Sequence, residues 1–243
     1  MSELKYRRVL LKISGEGLCG PGAAGIDTQE LRRISAEIKS VVDLGAELGV
    51  VIGGGNIVRG GELSERTGIE EAAAHYMGML ATVINAIAIQ EMLESTGVDT
   101  RILSAIAIDR VCESFVRRRA VRHLEKRRVV IFAAGTGNPF VTTDSCAALR
   151  ASEIRADVVL KATKVDGVYT EDPEKHPDAE LKRHMTYNEI IDQRLAVMDI
   201  AAVVMCQQNK IPIVVFNLKD SGHMRSIVQG KRIGTLVDDG TST

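Results

Sequence analysis

Short apolar segments rich in β-branched residues alternate with longer segments of helical periodicity along the chain. Nearly continuous apolar strands are typical of sheets that are buried on both faces. Repeated strand–helix–strand order favours parallel strands joined by helical crossovers. The pattern therefore predicts an α/β fold, a three-layer α/β/α sandwich with a mainly parallel central sheet. The predicted strands are Val9–Ile13, Val50–Ile52, Arg101–Leu103, Val129–Phe132, Asp157–Leu160 and Ile213–Phe216.

Helical patterns fill most of the intervening sequence. Asp27 and Glu30 resemble a capping box, so the first helix is expected to start near Thr28. A polar stretch from Thr170 to His184 is interpreted as a surface excursion, and no linker or repeat divides the chain. We therefore expect one domain over residues 1–243. Further helices are predicted over Glu70–Ser95, over Arg117–Lys126 and from Asp144 onward.

Charge and aromatic content argue against nucleic acid as a partner. The 31 Lys and Arg residues are balanced by 32 Asp and Glu residues, so the net charge is -1. Such a chain has no overall basic field for a nucleic-acid backbone. With 3% aromatic residues and no Trp, it also has little material for a base-stacking platform. The one basic cluster, Arg117–Arg128, is interpreted as a solvated helix face.

Cysteine spacing and the apolar segments indicate a cytoplasmic location. The four cysteines form no Cys-x-x-Cys pair, so we expect reduced, mostly structural thiols. The N-terminus reaches Lys12 after only three apolar residues and has no signal-peptide core. Ala72–Gln90 contains no Asp, Glu, Lys or Arg, but His75, Thr82 and Asn85 interrupt it. A buried helix is therefore predicted there, not a membrane span.

Residues suited to binding phosphate follow four of the predicted strands. In a parallel sheet, ligands bind beyond the carboxyl ends of the strands. Glycines let backbone N–H groups approach an anion, and Lys and Arg supply positive charge. The composition of these four segments predicts a polyphosphate site. They are Lys12–Gly17, Gly53–Gly60, Gly135–Asp144 and Lys161–Tyr169.

Other phosphate and catalytic motifs fit poorly. A Walker motif is absent, and so is a Gly-x-Ser-x-Gly elbow. Gly15, Gly17 and Gly20 match Gly-x-Gly-x-x-Gly, but no helix opens at the third glycine, and the second strand ends in glycines and not in an acid. Phosphoryl transfer requires cations and in-line positioning, not a covalent nucleophile. Lys12 and Arg59 are the candidate catalytic cations. Asp144 could orient a lysine, attract a magnesium ion or simply be an ordinary acidic residue at the start of a helix.

Five segments resemble the bacterial uridylate kinases, a branch of the amino acid kinase family, and the resemblance extends from about Arg7 to about Asp238. The glycine triplet suits the wider family, whereas the Thr136–Thr143 loop and the Lys161–Tyr169 segment are specific to uridylate kinases. The five segments are Lys12–Glu16, Gly53–Asn56, Met77–Thr82, Gly135–Phe140 and Lys161–Tyr169.

The resemblance implies an amino acid kinase-like fold and transfer of the ATP γ-phosphate to UMP, with Mg2+, in pyrimidine nucleotide (CTP and UTP) biosynthesis. It also implies a cytoplasmic homohexamer, with UTP inhibition and GTP activation. By position, the ATP-binding residues would be Lys12, Ile13, Ser14, Gly15, Gly55, Arg59, Thr163, Tyr169 and Asp172. The UMP-binding residues would be Gly54, Thr136, Gly137, Asn138, Pro139, Phe140, Val141, Thr142 and Thr143, with Asp199 as a further acid near the acceptor.

Two positions depart from the family pattern. His75 stands where most relatives have an aspartate, so we hypothesise that its imidazole serves the UMP ribose and weakens UMP binding toward pH 6; the alternative is that it only packs or faces solvent. Ala23 replaces the middle glycine of the Gly20–Gly25 loop, which is tied to GTP activation in relatives. A non-catalytic relative that binds an oxyanion or nucleotide stays open as the rival function.

Overall fold

The computed structural model describes residues 4–20, 22–171, 175–176, 178–195 and 197–240. The strands in this part of the chain are β1 (Arg8–Ile13), β2 (Glu47–Ile52), β3 (Thr100–Ser104), β4 (Glu113–Ser114), β5 (Val129–Ala133), β6 (Val158–Thr163), β7 (Val168–Tyr169), β8 (Leu181–Lys182), β9 (His184–Thr186), β10 (Ile213–Asn217) and β11 (Thr235–Asp238). The helices are α1 (Thr28–Val42), α2 (Gly60–Thr67), α3 (Glu71–Ser95), α4 (Arg117–Glu125), α5 (Thr143–Ile154), α6 (Tyr187–Asp192), α7 (Ile200–Gln208) and α8 (His223–Val228). A single 3₁₀ turn, Gly15–Leu18, follows β1.

Nine of these strands form one sheet in the order β4-β3-β5-β2-β1-β6-β10-β11-β9. All neighbouring pairs run parallel except β10 and β11, which are antiparallel. The predicted mainly parallel sheet is confirmed. The four strands β5, β2, β1 and β6 are consecutive at the centre of the sheet. The four segments suited to binding phosphate therefore lie at the ends of neighbouring strands.

Alternating residues of the central strands supply two separate cores. Val9, Leu11 and Ile13 of β1 pack in one core, together with side chains of α1, α3 and α8. Leu10 packs in the other, together with side chains of α4, α5, α6 and α7. Because successive strand residues point to opposite faces, one apolar strand serves both layers. This arrangement confirms the three-layer α/β/α sandwich.

The first helix begins where it was predicted, but its cap differs from a capping box. The Asp27 carboxylate accepts the backbone N–H groups of Gln29 and Glu30 at 2.8 and 3.0 Å. The Glu30 carboxylate does not return the bond, because it binds Arg33 at 2.6 Å, and the Asp27 N–H donates to the Leu18 carbonyl at 2.7 Å. Only half of the predicted box is therefore formed.

The long apolar helix α3 is buried on one face only. Among the described residues it is the one helix long and apolar enough to cross a membrane, and 44% of its most apolar window is buried. Ala86, Ile89 and Leu93 lie in the core. Four large apolar side chains are exposed instead, so the prediction of a buried helix is only half correct. They are Tyr76, Met77, Leu80 and Ile84.

Two further features differ from the expectation. Helix α2 was not predicted, since it contains two glycines and buries no residue. The polar excursion after Tyr169 is held at both ends, because β7 pairs antiparallel with β8 and β9 joins the main sheet beside β11. Both features border the central strand ends, where the candidate site lies.

Candidate functional site

The central strand ends open into a cavity of about 550 Å³. Volumes of several hundred cubic ångströms are typical of small-molecule sites. The cavity is lined by backbone from the glycine-rich segments, by the start of α2, by one side of α3 and by the loop before α5. The members of the predicted set in its lining are Ser14, Gly15, Gly54, Gly55, Arg59, Asn138, Phe140, Val141, Thr142 and Thr143.

Glycine is required at two of these positions because other backbone lies against them. A Cβ atom on Gly15 would lie 2.6 Å from the Gly55 nitrogen. A Cβ on Gly54 would lie 2.5 Å from the Gly78 carbonyl oxygen of α3. Real Cβ atoms essentially never approach so closely, so any larger residue would push these segments apart. The glycines therefore allow the strand ends and α3 to meet at the cavity.

A buried asparagine pair fixes the glycine triplet, and sequence reasoning missed it. The Asn85 amide of α3 donates to the Gly53 carbonyl at 2.8 Å and to the Asn56 side chain at 2.7 Å. Asn56 donates to the Gly25 carbonyl at 2.8 Å. Buried amides are costly unless they are hydrogen-bonded. Asn85, which interrupts an otherwise apolar helix, was the sequence signal for this role.

Two buried lysines share one carboxylate beside the cavity. Lys12 Nζ lies 2.7 Å from Asp144 Oδ1, and Lys161 Nζ lies 2.7 Å from Asp144 Oδ2. The lysines are 7% and 9% exposed. Asp144 orients both lysines and also lies in the first turn of α5, so two of the three roles considered for it are seen here. Lys161 begins one of the predicted phosphate-binding segments, but no individual role was predicted for it, although a lysine at the end of a buried strand is a recognisable signal.

The protonation states follow from this geometry. Burial on its own would raise the pKa of Asp144, but the ammonium groups of Lys12 and Lys161 outweigh burial and hold that pKa below its ordinary value. Burial lowers the pKa of Lys161, and Asp144 partly offsets that effect. With both lysines protonated, two ammonium groups against one carboxylate leave one net positive charge. That charge is suited to a phosphate group.

A second group of charges lies at the mouth of the cavity. The Glu16 carboxylate bridges Arg59 and Lys164, with Lys164 Nζ at 3.0 Å from Oε2. Arg59 also binds Glu62 at 2.8 Å. Arg59 immediately precedes α2 and its side chain is 48% exposed, in contrast to buried Lys12. The two predicted catalytic cations thus have different environments. Glu16 and Lys164 are additions that the structure supplies.

The loop before α5 has an unusual backbone and a well-defined end. Gly137 and Phe140 have φ of 81° and 66°, a region that non-glycine residues seldom occupy. Thr142 caps α5 by accepting the Ser145 N–H at 3.1 Å. Asp199 accepts the hydroxyl groups of Thr142 and Ser145 at 3.0 and 2.9 Å. The Asp199 carboxylate therefore holds the loop where it meets α5, whose N-terminal N–H groups favour anions.

His75 lies in the cavity wall but contacts the loop. Its Nδ1 accepts the Phe140 backbone N–H at 2.9 Å, and the two rings meet edge to face with centroids 4.9 Å apart. Its Nε2 lies 3.9 Å from a carboxylate oxygen of Glu71. The hypothesis that His75 serves a ribose must therefore account for Nδ1 being already bound to protein.

The predicted site residues that do not line the cavity lie beside it or outside the described residues. Lys12 and Ile13 precede Ser14 in buried β1. Thr163 ends β6, where its hydroxyl donates to the Val165 carbonyl at 2.6 Å, and Tyr169 lies in β7. Asp172 lies outside the described residues. Thr136, Gly137 and Pro139 belong to the same loop as the lining residues.

A second cavity of about 670 Å³ adjoins the first, and its lining includes Gly20, Gly22, Ala23, several residues of α2 and Lys164. Gly22 and Gly25 have φ of 69° and 87°, whereas Ala23 does not have a positive φ. The missing middle glycine is therefore not required by the backbone conformation seen here.

Cys19, Cys112, Cys146 and Cys206 are free thiols, and burial raises the pKa of Cys146 to about 11 and that of Cys206 to about 12, as expected for structural residues. Within the part of the chain that the structure describes, no three His, Cys, Asp or Glu side chains cluster as a metal site.

Comparisons with known proteins agree with this geometry. The model of the amino acid kinase family matches residues 7–217. A uridylate kinase of Paramagnetospirillum magneticum is 57% identical over 97% of this chain and 98% of its own length. A uridylate kinase of Methylococcus capsulatus is 53% identical over 99% and 100%. The crystal structure of a UMP kinase from Bacillus anthracis superposes with a TM-score of 0.95, at 41% identity over 98% of each chain.

Proposed function

Because this chain belongs to the amino acid kinase family and, within it, to the uridylate kinases, we propose that it transfers the γ-phosphate of ATP to UMP, giving UDP and ADP. The reaction supplies pyrimidine nucleotide (CTP and UTP) biosynthesis. An oxygen of the UMP phosphate forms a bond to the γ-phosphorus, and the bond from that phosphorus to the β,γ-bridging oxygen breaks. One domain, residues 1–243, would carry the whole activity.

The observation that carries the proposal is the buried Lys12–Asp144–Lys161 group. Preorganised positive charge in a water-poor site stabilises a transferring phosphoryl group more than it would in water. Asp144 fixes the direction of both lysines, since each of its oxygens binds one ammonium group. The one net positive charge of this group is available to the phosphate groups of the substrates. We assign charge stabilisation to Lys12, Arg59 and Lys161, and positioning to Asp144.

The donor and acceptor nucleotides would occupy different sides of the strand ends. We place ATP phosphates against the Lys12–Gly15 segment, Gly55 and Arg59, with Thr163, Tyr169 and Asp172 toward the rest of that nucleotide. UMP would lie against Gly54 and the loop from Thr136 to Thr143. The cavity between α3 and that loop supports the second assignment, since the loop presents to it backbone groups, Asn138, Thr142 and Thr143.

Mg2+ is proposed to enter with ATP. Magnesium sites in kinases commonly use one or two carboxylates together with substrate phosphates. Both oxygens of Asp144 bind ammonium groups, so that carboxylate fits a lysine-orienting role better than a metal ligand. Glu62 at the cavity mouth, and Glu16 once its exposed pairs with Arg59 and Lys164 exchange, are carboxylates that would hold a nucleotide-borne ion. A bound ion would neutralise charge on the phosphates.

Assembly, location and regulation follow as proposals. We propose a cytoplasmic homohexamer from the family. Self-association is supported by the exposed apolar face of α3, where Leu80 and Ile84 are 46% and 50% exposed. Exposed apolar patches mark interaction sites, and a second copy of this chain is the proposed occupant. UTP inhibition and GTP activation are proposed from the family, with GTP activation weakened by Ala23.

The decisive experiment is a coupled assay of ADP release with UMP, CMP, AMP and GMP. We expect activity with UMP, abolished or reduced about a hundredfold by Lys12→Met, the typical cost of losing such a group. Lys39→Met is the matched control, because Lys39 pairs with Asp43 at 3.0 Å on an exposed helix face. Absence of ADP release with every acceptor, together with calorimetric binding of phosphate or nucleotide, would favour the non-catalytic alternative.

A further inference from the structure

His75 connects three segments that form the acceptor side of the cavity. It belongs to α3, its Nδ1 binds the backbone of Phe140, and its ring packs against the start of α2. A Cβ on Gly60 would lie 2.9 Å from the His75 Cδ2 atom, which shows how closely α2 approaches. The side chain is 25% exposed, so protons from solvent can reach it.

The hydrogen bond requires one protonation state of the imidazole. A backbone N–H only donates, so Nδ1 must accept with a free lone pair. A neutral ring that accepts at Nδ1 carries its proton on Nε2, the atom nearest to Glu71. When the ring becomes a cation, both nitrogens are donors, and the Phe140 N–H loses its partner.

Phe140 is a sensitive point in the loop. Its φ of 66° is uncommon for a bulky residue, and such conformations persist only where the surroundings enforce them. Its side chain is 66% exposed, so little burial holds it in place. The bond to His75 and the edge-to-face ring contact are the interactions observed at this residue.

We propose that neutral His75 is a positioning residue that holds the acceptor loop at Phe140, and that its protonation releases the loop and weakens UMP binding. The inference rests on the proposed UMP site. It differs from a direct ribose contact, because the group that His75 serves is the protein backbone.

The charged groups facing the histidine set the conditions of the test. Glu71 on its own helix, Arg59 ahead of α2 and Glu16 after β1 line the same cavity. No charged side chain from the described loop residues 135–143 lines it. Histidine side chains in general change charge between pH 5 and 8, so the test compares pH 8 with pH 6.

Kinetics on three variants test the effect on substrate. His75→Asn places Oδ1 where Nδ1 lies and does not titrate, His75→Asp supplies a second acceptor that stays charged over this range, and His75→Ala has none. Between pH 8 and 6 we expect the UMP KM of the wild type to rise about two- to tenfold relative to His75→Asn, the range for one hydrogen bond. The KM for ATP and kcat should change less. His75→Ala should show a raised UMP KM at both pH values.

The UMP phosphate also titrates near pH 6, as phosphate monoesters do, but it does so identically for every variant. The ratio of the wild-type KM to that of His75→Asn therefore isolates the histidine. If the wild-type profile runs parallel to those of both His75→Asn and His75→Asp, the proposal is wrong.

A measurement without nucleotide separates this proposal from the proposed function. In ¹⁵N NMR spectra of the intact protein, His75 Nδ1 should be unprotonated at pH 8, and the Phe140 amide resonance should shift toward pH 6 in the wild type but not in His75→Asn. If the Phe140 amide resonance of the wild type does not change with pH, the proposal is wrong even if UMP is phosphorylated. A responsive amide in a protein inactive with UMP would instead reject only the proposed function.

Discussion

Replacing Asp144 with asparagine should destabilise the protein strongly, because it removes the shared counterion of two buried lysines. Asp144 is 13% exposed and lies 2.7 Å from each ammonium group. Breaking a buried ion pair from one side typically costs about 3 to 5 kcal/mol, since an uncompensated charge is left behind. Here two charges lose their partner, so we expect a loss of at least about 3 kcal/mol in the free energy of unfolding at pH 7.

The pH dependence of that loss gives a sharper test. Ionised Asp144 is favoured by the fold, because its pKa is lowered from the usual aspartate value. Its contribution is therefore present in full above about pH 4, the unfolded value, and is lost as pH falls through the lower folded value. Toward alkaline pH the Asp144→Asn variant should recover part of its deficit, since a lysine that loses its proton no longer needs a counterion. The lowered pKa of Lys161 makes it the candidate for that deprotonation.

Urea unfolding, followed by circular dichroism from pH 3 to pH 10, measures this difference. Asp43→Asn is the matched control: it makes the same chemical change in an exposed pair with Lys39 at 3.0 Å. Exposed pairs contribute about 0 to 1 kcal/mol, so the control should change little. Equal losses in the two variants, or a deficit in Asp144→Asn that does not shrink at all between pH 7 and the acidic end of the range at pH 3, would refute the assigned electrostatics.

Three other predictions concern activity. Lys12→Ala and Arg59→Ala should each lower kcat about a hundredfold while leaving far-UV circular dichroism unchanged, as measured by the coupled ADP assay; wild-type turnover in either folded variant would contradict the assignment. UMP should be strongly preferred over CMP in kcat/KM, because unpaired polar groups around Asn138 would penalise the wrong base, and comparable values for the two would be evidence against that loop as the acceptor site. GTP should activate weakly at subsaturating ATP, because an alanine at position 23 resists any rearrangement of the loop that needs a positive φ there, although the conformation described above does not need one. Activation of several-fold would show that a glycine at this position is dispensable.

The sequence predicted the six consecutive strands β3, β5, β2, β1, β6 and β10, because burial on two faces leaves a strong signal, but it did not predict β4, β11 and β9 toward the sheet edges. β1 and β2 are mainly apolar and were located within a few residues. α2 left no such signal, since Gly60 and Gly61 begin it and none of its residues is buried. The strand order was also not predicted, because it depends on which crossovers return to which side of β1. Patterns of burial thus locate elements, and contacts between distant segments determine their order.

The same reasoning explains which parts of the site were found. Gly54 and Lys12 were found because a glycine or a lysine at the end of a buried strand is itself unusual. Lys161 also lies at the end of a buried strand, but no role was assigned to it from the sequence. His75 and Glu16 could not be assigned from the sequence, because their functions depend on partners in distant segments, Phe140 and Lys164.

Glu16 leads to a difference between two parts of the site. Its carboxylate pairs with Arg59 and Lys164 at the mouth of the cavity, and the three side chains are 39% to 57% exposed. Such pairs are weak and exchange readily, whereas charge-assisted bonds from Arg to phosphate are strong and often bidentate. A polyphosphate can therefore displace Glu16 at low cost. Lys12 and Lys161 are held by a buried carboxylate that a ligand is not expected to displace. The structure thus combines an exchangeable set of charges that admits the nucleotide with a fixed set against which the phosphoryl group is transferred.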